Sequence, residues 1–193
     1  MRFEKGHKAA TRQHILDVAS KSFRREGVSA AGISGIMGAA GLTNGAFYLH
    51  FASKEELVRE AVGSALAERQ QDLEQQLQAG ADLEKVIRNY LNLAHREDFA
   101  CGCPSAALLP ELGRHSVPIR QTYENGLQSF VSTLAALLPD ADPAAAVRRA
   151  TAIFALMVGA LQLARAVPDA IRAEQILEDG VGAALLLARE LGR

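Results

Sequence analysis

The chain has 193 residues, 49% of them hydrophobic and 22% charged, which is ordinary globular usage and excludes fibres and disordered tails. A net charge of −1 hides a gradient: residues 1–59 hold nine Lys/Arg against five Asp/Glu, and residues 60–193 hold twelve against seventeen, so the two parts should meet different partners. The longest apolar run, Ala152 to Leu161, is broken by Gln162 and Arg165 and falls short of the roughly 18 to 20 residues that cross a bilayer. Neither a transmembrane helix nor a membrane partner is expected.

The N-terminal stretch through Gln13 is charged and has no apolar segment of the kind a signal peptide needs, and two cysteines suit a reducing compartment, so a cytoplasmic protein is expected. Apolar positions recur at helical spacing almost throughout, and nothing alternates with period two. An all-α fold of about nine helices is predicted. The first helix runs over about 11–26, with Ile15, Leu16, Ala19 and Phe23 on one face and Gly27 as its stop. A short helix over 31–40 ends at Gly41, and a second short one lies within 44–50. Ser53-Lys54-Glu55-Glu56 is a capping box opening a helix to about 78. Asp82 caps a helix to about 96. Segment 99–115 is interrupted by Gly102, Pro104, Pro110 and Gly113 and reads as loop with one short helix. Helices follow over 118–138, from the Asp142-Pro143 start to 166, and over 173–191. The domain division expected is 1–53 and 54–193.

Helix, glycine turn and short helix within 33–50 is the pattern of a helix-turn-helix, whose second helix enters the major groove of double-stranded DNA. Seven residues from Asn44 to His50 would span about 10 Å as an α-helix, comparable to the roughly 12 Å groove. Ile36, Ala40, Leu42, Phe47 and Phe51 can form its small core, leaving Thr43, Asn44, Gly45, Tyr48 and His50 outside. Seven basic residues against two acidic ones in the first 25 add a local polyanion contact, with Lys8 and Arg12 as candidate DNA contacts.

The run from Gly41 to Leu57, GLTNGAFYLHFASKEEL, resembles the helix-turn-helix signature of the TetR/AcrR transcriptional repressors, and similarity covers about residues 10 to 60. The resemblance implies a three-helix DNA-binding domain, a variable helical domain that binds a small-molecule inducer, and homodimerisation through the last two long helices. It also implies that Thr43 and Asn44 start the recognition helix, that Tyr48 and His50 bond phosphates, and that Lys54 contacts the DNA backbone. Ser34 and Gly35 stand where relatives usually place arginine or an acidic residue, Leu49 where the position is often polar or aromatic, and Asn44 where it is often basic. Asn44 can pair bidentately with adenine.

In the C-terminal part, the small-residue spacings Ala155/Gly159 and Gly180/Ala184/Ala188, with Leu156, Leu163 and Leu185 for bulk, are expected to form the homodimer interface. An effector pocket for a small apolar molecule is expected among His95, Phe99, Cys103, Leu108, Tyr123, Leu127, Phe130, Phe154, Met157, Leu161 and Gln162, with segment 99–115 as a wall. Two alternatives stay open beside ligand release. Cys101 and Cys103 could serve a thiol-based redox repressor, or the basic end could mark a helical interaction module that does not bind DNA. The set His95, Cys101, Cys103 and His115 lacks the paired C-x2-C spacing of strong zinc sites, so no metal and no cofactor is implied. No nucleophile triad frame, P-loop, G-x-G-x-x-G or H-E-x-x-H is present, and an enzyme is not expected.

Overall fold

Gly27 ends the first helix: its φ of +87° suits glycine, and its N–H closes on Phe23 O at 2.8 Å. The computed structural model describes residues 2–139 and 142–189. Among them the regular structure is nine α-helices and one 3₁₀ helix, with no strand. In chain order these are α1 (Arg2–Glu26), α2 (Ile33–Ala39), the 3₁₀ helix (Asn44–Leu49), α3 (Lys54–Gln78), α4 (Leu83–Tyr90) and α5 (Leu93–Glu97). Then come α6 (Pro104–Leu112), α7 (Val117–Ala135), α8 (Pro143–Ala166) and α9 (Ala170–Arg189).

Local chemistry explains where these ends fall. Ser53 Oγ accepts the Glu56 N–H at 3.1 Å, and the Glu56 carboxylate reaches back to the Ala52 N–H at 2.6 Å, a capping box displaced by one residue on its return arm. Asp142 accepts the Ala144 N–H at 2.9 Å and Pro143 opens α8, as its sequence predicts. Three expectations shift. α1 begins well before Thr11, because residues 6–10 are exposed and their solvated surface carries no apolar pattern to reveal the helix. The single helix expected over 82–96 is two, since Leu91 turns into the core at 2% exposure and Asn92 caps a new helix by accepting the His95 N–H at 2.8 Å. The last helix starts at Ala170, and its expected end at 190–191 lies outside the described residues.

α8 reaches the length and mean hydropathy, 1.5, of a bilayer span, which the uninterrupted run had concealed, because Gln162 is uncharged and flanked by apolar turns. Its Ile153, Met157, Leu161 and Ala164 are nevertheless packed in the interior at 0% exposure, against α7 and α9.

Two hydrophobic cores lie end to end along α3. The first joins Ile15, Phe23, Ile36, Met37, Phe47 and Phe51 to Leu57, Val58 and Val62 of α3, and also takes in Leu108 and Leu112 of α6 and Ile119 of α7. The second gathers Leu73, Ile87, Leu134, Ile153, Leu161, Leu177 and Val181. The first core therefore runs past residue 53 and includes the far end of α6. Gly126 and Gly63 let α7 and α3 approach closely: a Cβ on Gly126 would stand 2.7 Å from Leu66 Cδ1.

Candidate nucleic-acid interface and ligand cavity

The helix-turn-helix is built on two phenylalanines. Phe47 and Phe51 are 0% and 1% exposed, stacked with ring centroids 5.7 Å apart, and Gly41 makes the turn at φ +70°. Anchoring position 47 inward forces its neighbours outward. Tyr48 and Leu49 are 69% and 68% exposed, and Thr43, Asn44 and Gly45 lie on the same outer surface. The reading segment is a 3₁₀ helix rather than the α-helix expected; at about 2.0 Å per residue its six residues span about 12 Å and still match the major groove. α2 crosses behind it, held by Ile36 and Met37, with Ser34, Gly35 and Gly38 exposed and open space around both glycines.

The basic residues divide into free and committed. Lys8 is exposed. His50 is half-buried, and its Nδ1 has no hydrogen-bond partner; burial first, then the positive charges of Lys8 and Arg12, hold its pKa below the usual imidazole value. Lys54 donates to Val28 O at 2.8 Å, which ties α3 to the loop after α1 and leaves two further ammonium donors.

Arg12 is an internal clamp rather than a free phosphate ligand. It makes bidentate bonds to Glu60 at 2.5 and 2.7 Å, donates from Nε to His50 O at 3.2 Å, and lies over the Phe51 ring at 4.4 Å. The hydrogen bond from Arg12 is the largest influence holding the Glu60 carboxyl below its ordinary pKa. A fork-shaped cation beside a carboxylate at this geometry is already satisfied. The clamp fixes the C-terminal end of the reading segment to α1 and α3.

A small cavity lies between α3, α4, α6, α7 and α8. Its walls are Leu66 and Arg69 of α3, Tyr90 of α4, Cys103, Pro104 and Ser105 at the start of α6, Leu127 and Phe130 of α7, and Phe154 of α8. It leaves about 10 Å³ for the centre of a water molecule, so it is closed down as folded. Behind the wall, His95 receives the Cys103 N–H on Nε2 at 2.9 Å and faces Tyr90 O with Nδ1 at 2.7 Å. That pattern places the proton on Nδ1. Arg165 donates to the carbonyls of His95, Arg96 and Asp98, and Arg96 donates back to Ala164 O and Val167 O, which staples the 95–98 backbone to the end of α8.

Four of the expected pocket residues line this cavity: Cys103, Leu127, Phe130 and Phe154. His95 supports it from behind, and Tyr123 does so by donating to Ser105 Oγ at 3.0 Å. The others are placed elsewhere. Leu108 belongs to the first core, Met157 and Leu161 are solid interior of the second, Gln162 is half-buried outside the walls, and Phe99 is 43% exposed under Arg165. Helical spacing names a face of α6 or α8 but not the depth at which that face meets a void. Pro104 and Ser105 belong to the segment 99–115 expected as a wall, whereas Leu66, Arg69 and Tyr90 lay outside the expected set; Tyr90, a lone aromatic in a short amphipathic helix, was the signal available for one of them.

Cys101 is exposed and Cys103 buried, both as free thiols. Among the described residues no three His, Cys, Asp or Glu side chains converge to hold a metal ion.

The small residues of the last two helices also divide. Gly180, Ala184 and Ala188 face the chain's own core, not the surface: a Cβ on Gly180 would stand 2.7 Å from Ala160 Cβ, so their spacing serves contact between α9 and α8. Ala155, Gly159 and Leu163, the last 63% exposed, form an outward stripe on α8 beside half-buried Leu156, and on α9 Gly182 and Leu186 are exposed. Leu185 is half-buried against the second core.

Two family descriptions match the chain: bacterial regulatory proteins of the tetR family over residues 15–61, and the tetracyclin repressor-like C-terminal domain over residues 81–179. The HTH-type transcriptional regulator AcrR of Shigella flexneri is 52% identical over 50 residues, 26% of this chain and 23% of that protein. The match therefore spans about a quarter of AcrR. The HTH-type transcriptional regulator LmrA of Bacillus subtilis is 27% identical over 128 residues, 63% of this chain and 68% of LmrA. Among solved structures, a TetR-family regulator from Cytophaga hutchinsonii superposes with a TM-score of 0.77 at 19% identity, covering 95% of this chain and 98% of that one, which is a likeness of fold.

Proposed function

This chain belongs to the TetR family of bacterial transcriptional regulators, and from that premise we propose that it is a homodimeric repressor, acting in the cytoplasm, that leaves a palindromic operator when a small, largely apolar effector enters the cavity beside α6. The observation that carries the reading is the outward set of Thr43, Asn44, Gly45 and Tyr48, mounted on buried Phe47 and flanked by Lys8. A rigid six-residue head with free polar side chains and a nearby cation fits groove entry with phosphate contacts at its edge. The outward stripe of Ala155, Leu156, Gly159, Leu163 and Leu186 supplies an apolar surface on which a second copy can place its own head one helical turn away, about 34 to 36 Å.

α6 links the cavity to the head. Its first residues wall the cavity, and near its other end Glu111 accepts the Val28 N–H at 3.1 Å, the Ser29 N–H at 2.9 Å and the Ser29 hydroxyl at 2.8 Å. Burial alone would raise the Glu111 pKa, but these bonds outweigh it and hold the carboxyl below its usual range. A helix of nine residues whose two ends grip the cavity and the α1–α2 loop transmits a shift at one end to the other. An effector that favours the shifted arrangement then releases DNA; one that binds both arrangements equally changes nothing. Glu111→Ala is expected to free the Val28 and Ser29 amides, raising their hydrogen exchange about tenfold or more. Unchanged protection at both amides would remove Glu111 from the linkage.

The reading is tested by selecting bound duplexes from a random pool. The expected product is a palindrome with half-sites one turn apart, whose affinity falls steeply with salt. Tyr48→Phe and Lys8→Ala should then weaken binding to every sequence alike. Asn44→Ala should cost about 1 to 3 kcal/mol of discrimination at one base position. Equal affinity for all duplexes would defeat operator recognition.

A further inference from the structure

The polar groups in the cavity are mismatched to a purely apolar guest. Tyr90 is 3% exposed and lines the cavity, and its hydroxyl has no nitrogen or oxygen partner, only the weakly accepting sulfur of Cys103 beside it. Its ring is not free to turn away, because His95 meets it edge-on at 4.7 Å and Phe154 at 6.1 Å. A buried hydroxyl with only a thiol beside it is poorly satisfied, and a stronger acceptor in the cavity would improve it. Burial, then the charge and hydrogen bond of Cys103, push the Tyr90 pKa well up, so the group is a neutral O–H donor whose present acceptor, a thiol, is a weak one.

The charge on the wall points the same way. Arg69 lines the cavity, and no carboxylate does. One of its nitrogens holds Asp72 at 3.2 Å, on a side chain that is half exposed, and a guanidinium carries five N–H donors in all. Ser105 accepts from Tyr123 and keeps its own O–H as a further donor beside Tyr90 and Arg69. The apolar part of the lining is Leu127, Phe130 and Phe154, with the Phe130 and Phe154 rings tilted 4.8 Å apart.

We propose that the effector is a compact apolar carboxylic acid, bound as its carboxylate. One carboxylate oxygen accepts from Tyr90 Oη–H, the Arg69 guanidinium balances the charge, and a single ring or short acyl chain packs against Leu127, Phe130 and Phe154. Entry requires the side chains around the void to part, because the folded cavity holds little more than one water. This deepens the effector reading above and rests on it, but the site can be tested by binding alone.

The test is calorimetric titration of the full chain at neutral pH with benzoate and hexanoate, and with benzamide and hexanamide as uncharged partners of the same shape. The acids are expected to bind at least about tenfold more tightly than the amides. Arg69→Gln should remove about that factor for the acids and leave the amides unchanged, and Tyr90→Phe should weaken the acids by about that factor and the amides, whose carbonyl accepts more weakly, by less. Tyr90→Phe deletes a hydroxyl bonded at most to a thiol, so its thermal midpoint should stay close to that of the parent, which keeps the result readable if Arg69→Gln folds poorly. Equal binding of acids and amides, acid binding insensitive to Tyr90→Phe, or no acid binding up to millimolar concentration would each overturn the proposal. Acids that bind as expected without lowering operator affinity would leave this site standing and defeat release by effector. Operator release by an uncharged compound with no preference for acids would do the reverse.

Discussion

Phe47→Ala is expected to destabilise the N-terminal core by about 3 to 5 kcal/mol and to abolish operator binding. The Phe47 ring is 0% exposed, contacts Phe51 in a stack and Tyr48 edge-on at 5.1 Å, and lies in one cluster with Ile36, Met37 and Leu57. No other side chain can fill the void, because the reading segment is short and its neighbours at 48 and 49 point to solvent. The loss is a large share of what a small unit commonly has in reserve. Denaturant unfolding followed by circular dichroism would show it, and the second core should melt close to its original midpoint. Leu49→Ala is the contrast: two residues on but 68% exposed, it should shift stability by no more than about 0.5 kcal/mol. A Phe47→Ala protein within about 1 kcal/mol of the parent would show that the head is not held by this ring.

Acid is expected to weaken the fold through His95. Burial, with the positive charges of Arg69 and Arg165 adding to it against the Tyr90 carbonyl, pushes its pKa from 6.5 down to about 4. The hydrogen bonds give the same answer. Nε2 must stay unprotonated to accept the Cys103 N–H at 2.9 Å, and a proton there would set two N–H groups against each other. The folded-state pKa lies below the unfolded one, so between them the unfolded chain binds a proton that the folded chain refuses. Stability from this group is complete above about pH 6.5 and is lost as pH falls through about 4, a difference of about 3 kcal/mol. Gln in place of His95 can accept the same N–H and cannot titrate. Unfolding free energies measured across pH 7 to 4 should fall more steeply for the parent than for His95→Gln. Parallel curves would mean that His95 takes up its proton without consequence.

The Arg12 and Leu108 placements show why some of the site was illegible. A basic residue near a basic terminus reads as a DNA contact until Glu60, far along the chain, is brought to 2.5 Å from it by the packing of α1 against α3. Leu108 sits in a segment that walls the cavity, but its own side chain turns toward Leu112 and Ile119 in the other core. Tyr90 and Arg69 went unread for the complementary reason: a buried hydroxyl with only a thiol beside it exists only once four other helices have closed around it. The split of the 82–96 helix has a more local cause. Asn92 could be seen as a cap, but the apolar spacing continued across it, and burial of Leu91 decided the break.

Local chemistry by itself determined the helical class, the turns at Gly27 and Gly41, the Ser53 and Asp142 starts, and the outward polar set from Thr43 to Tyr48. Each depends on neighbours within a few residues: a left-handed backbone angle, a side-chain cap, or an apolar ring that sends the next residue to solvent. Tertiary structure alone decided which small residues meet within the chain and which face outward, which cations are clamped, and where a void remains. Spacing along a helix says that a face is smooth enough for close approach, and Gly180 and Gly159 are equally smooth. Only the docking of α9 on α8 buries the first and leaves the second exposed, because contact is a property of pairs of surfaces and a sequence lists one surface at a time.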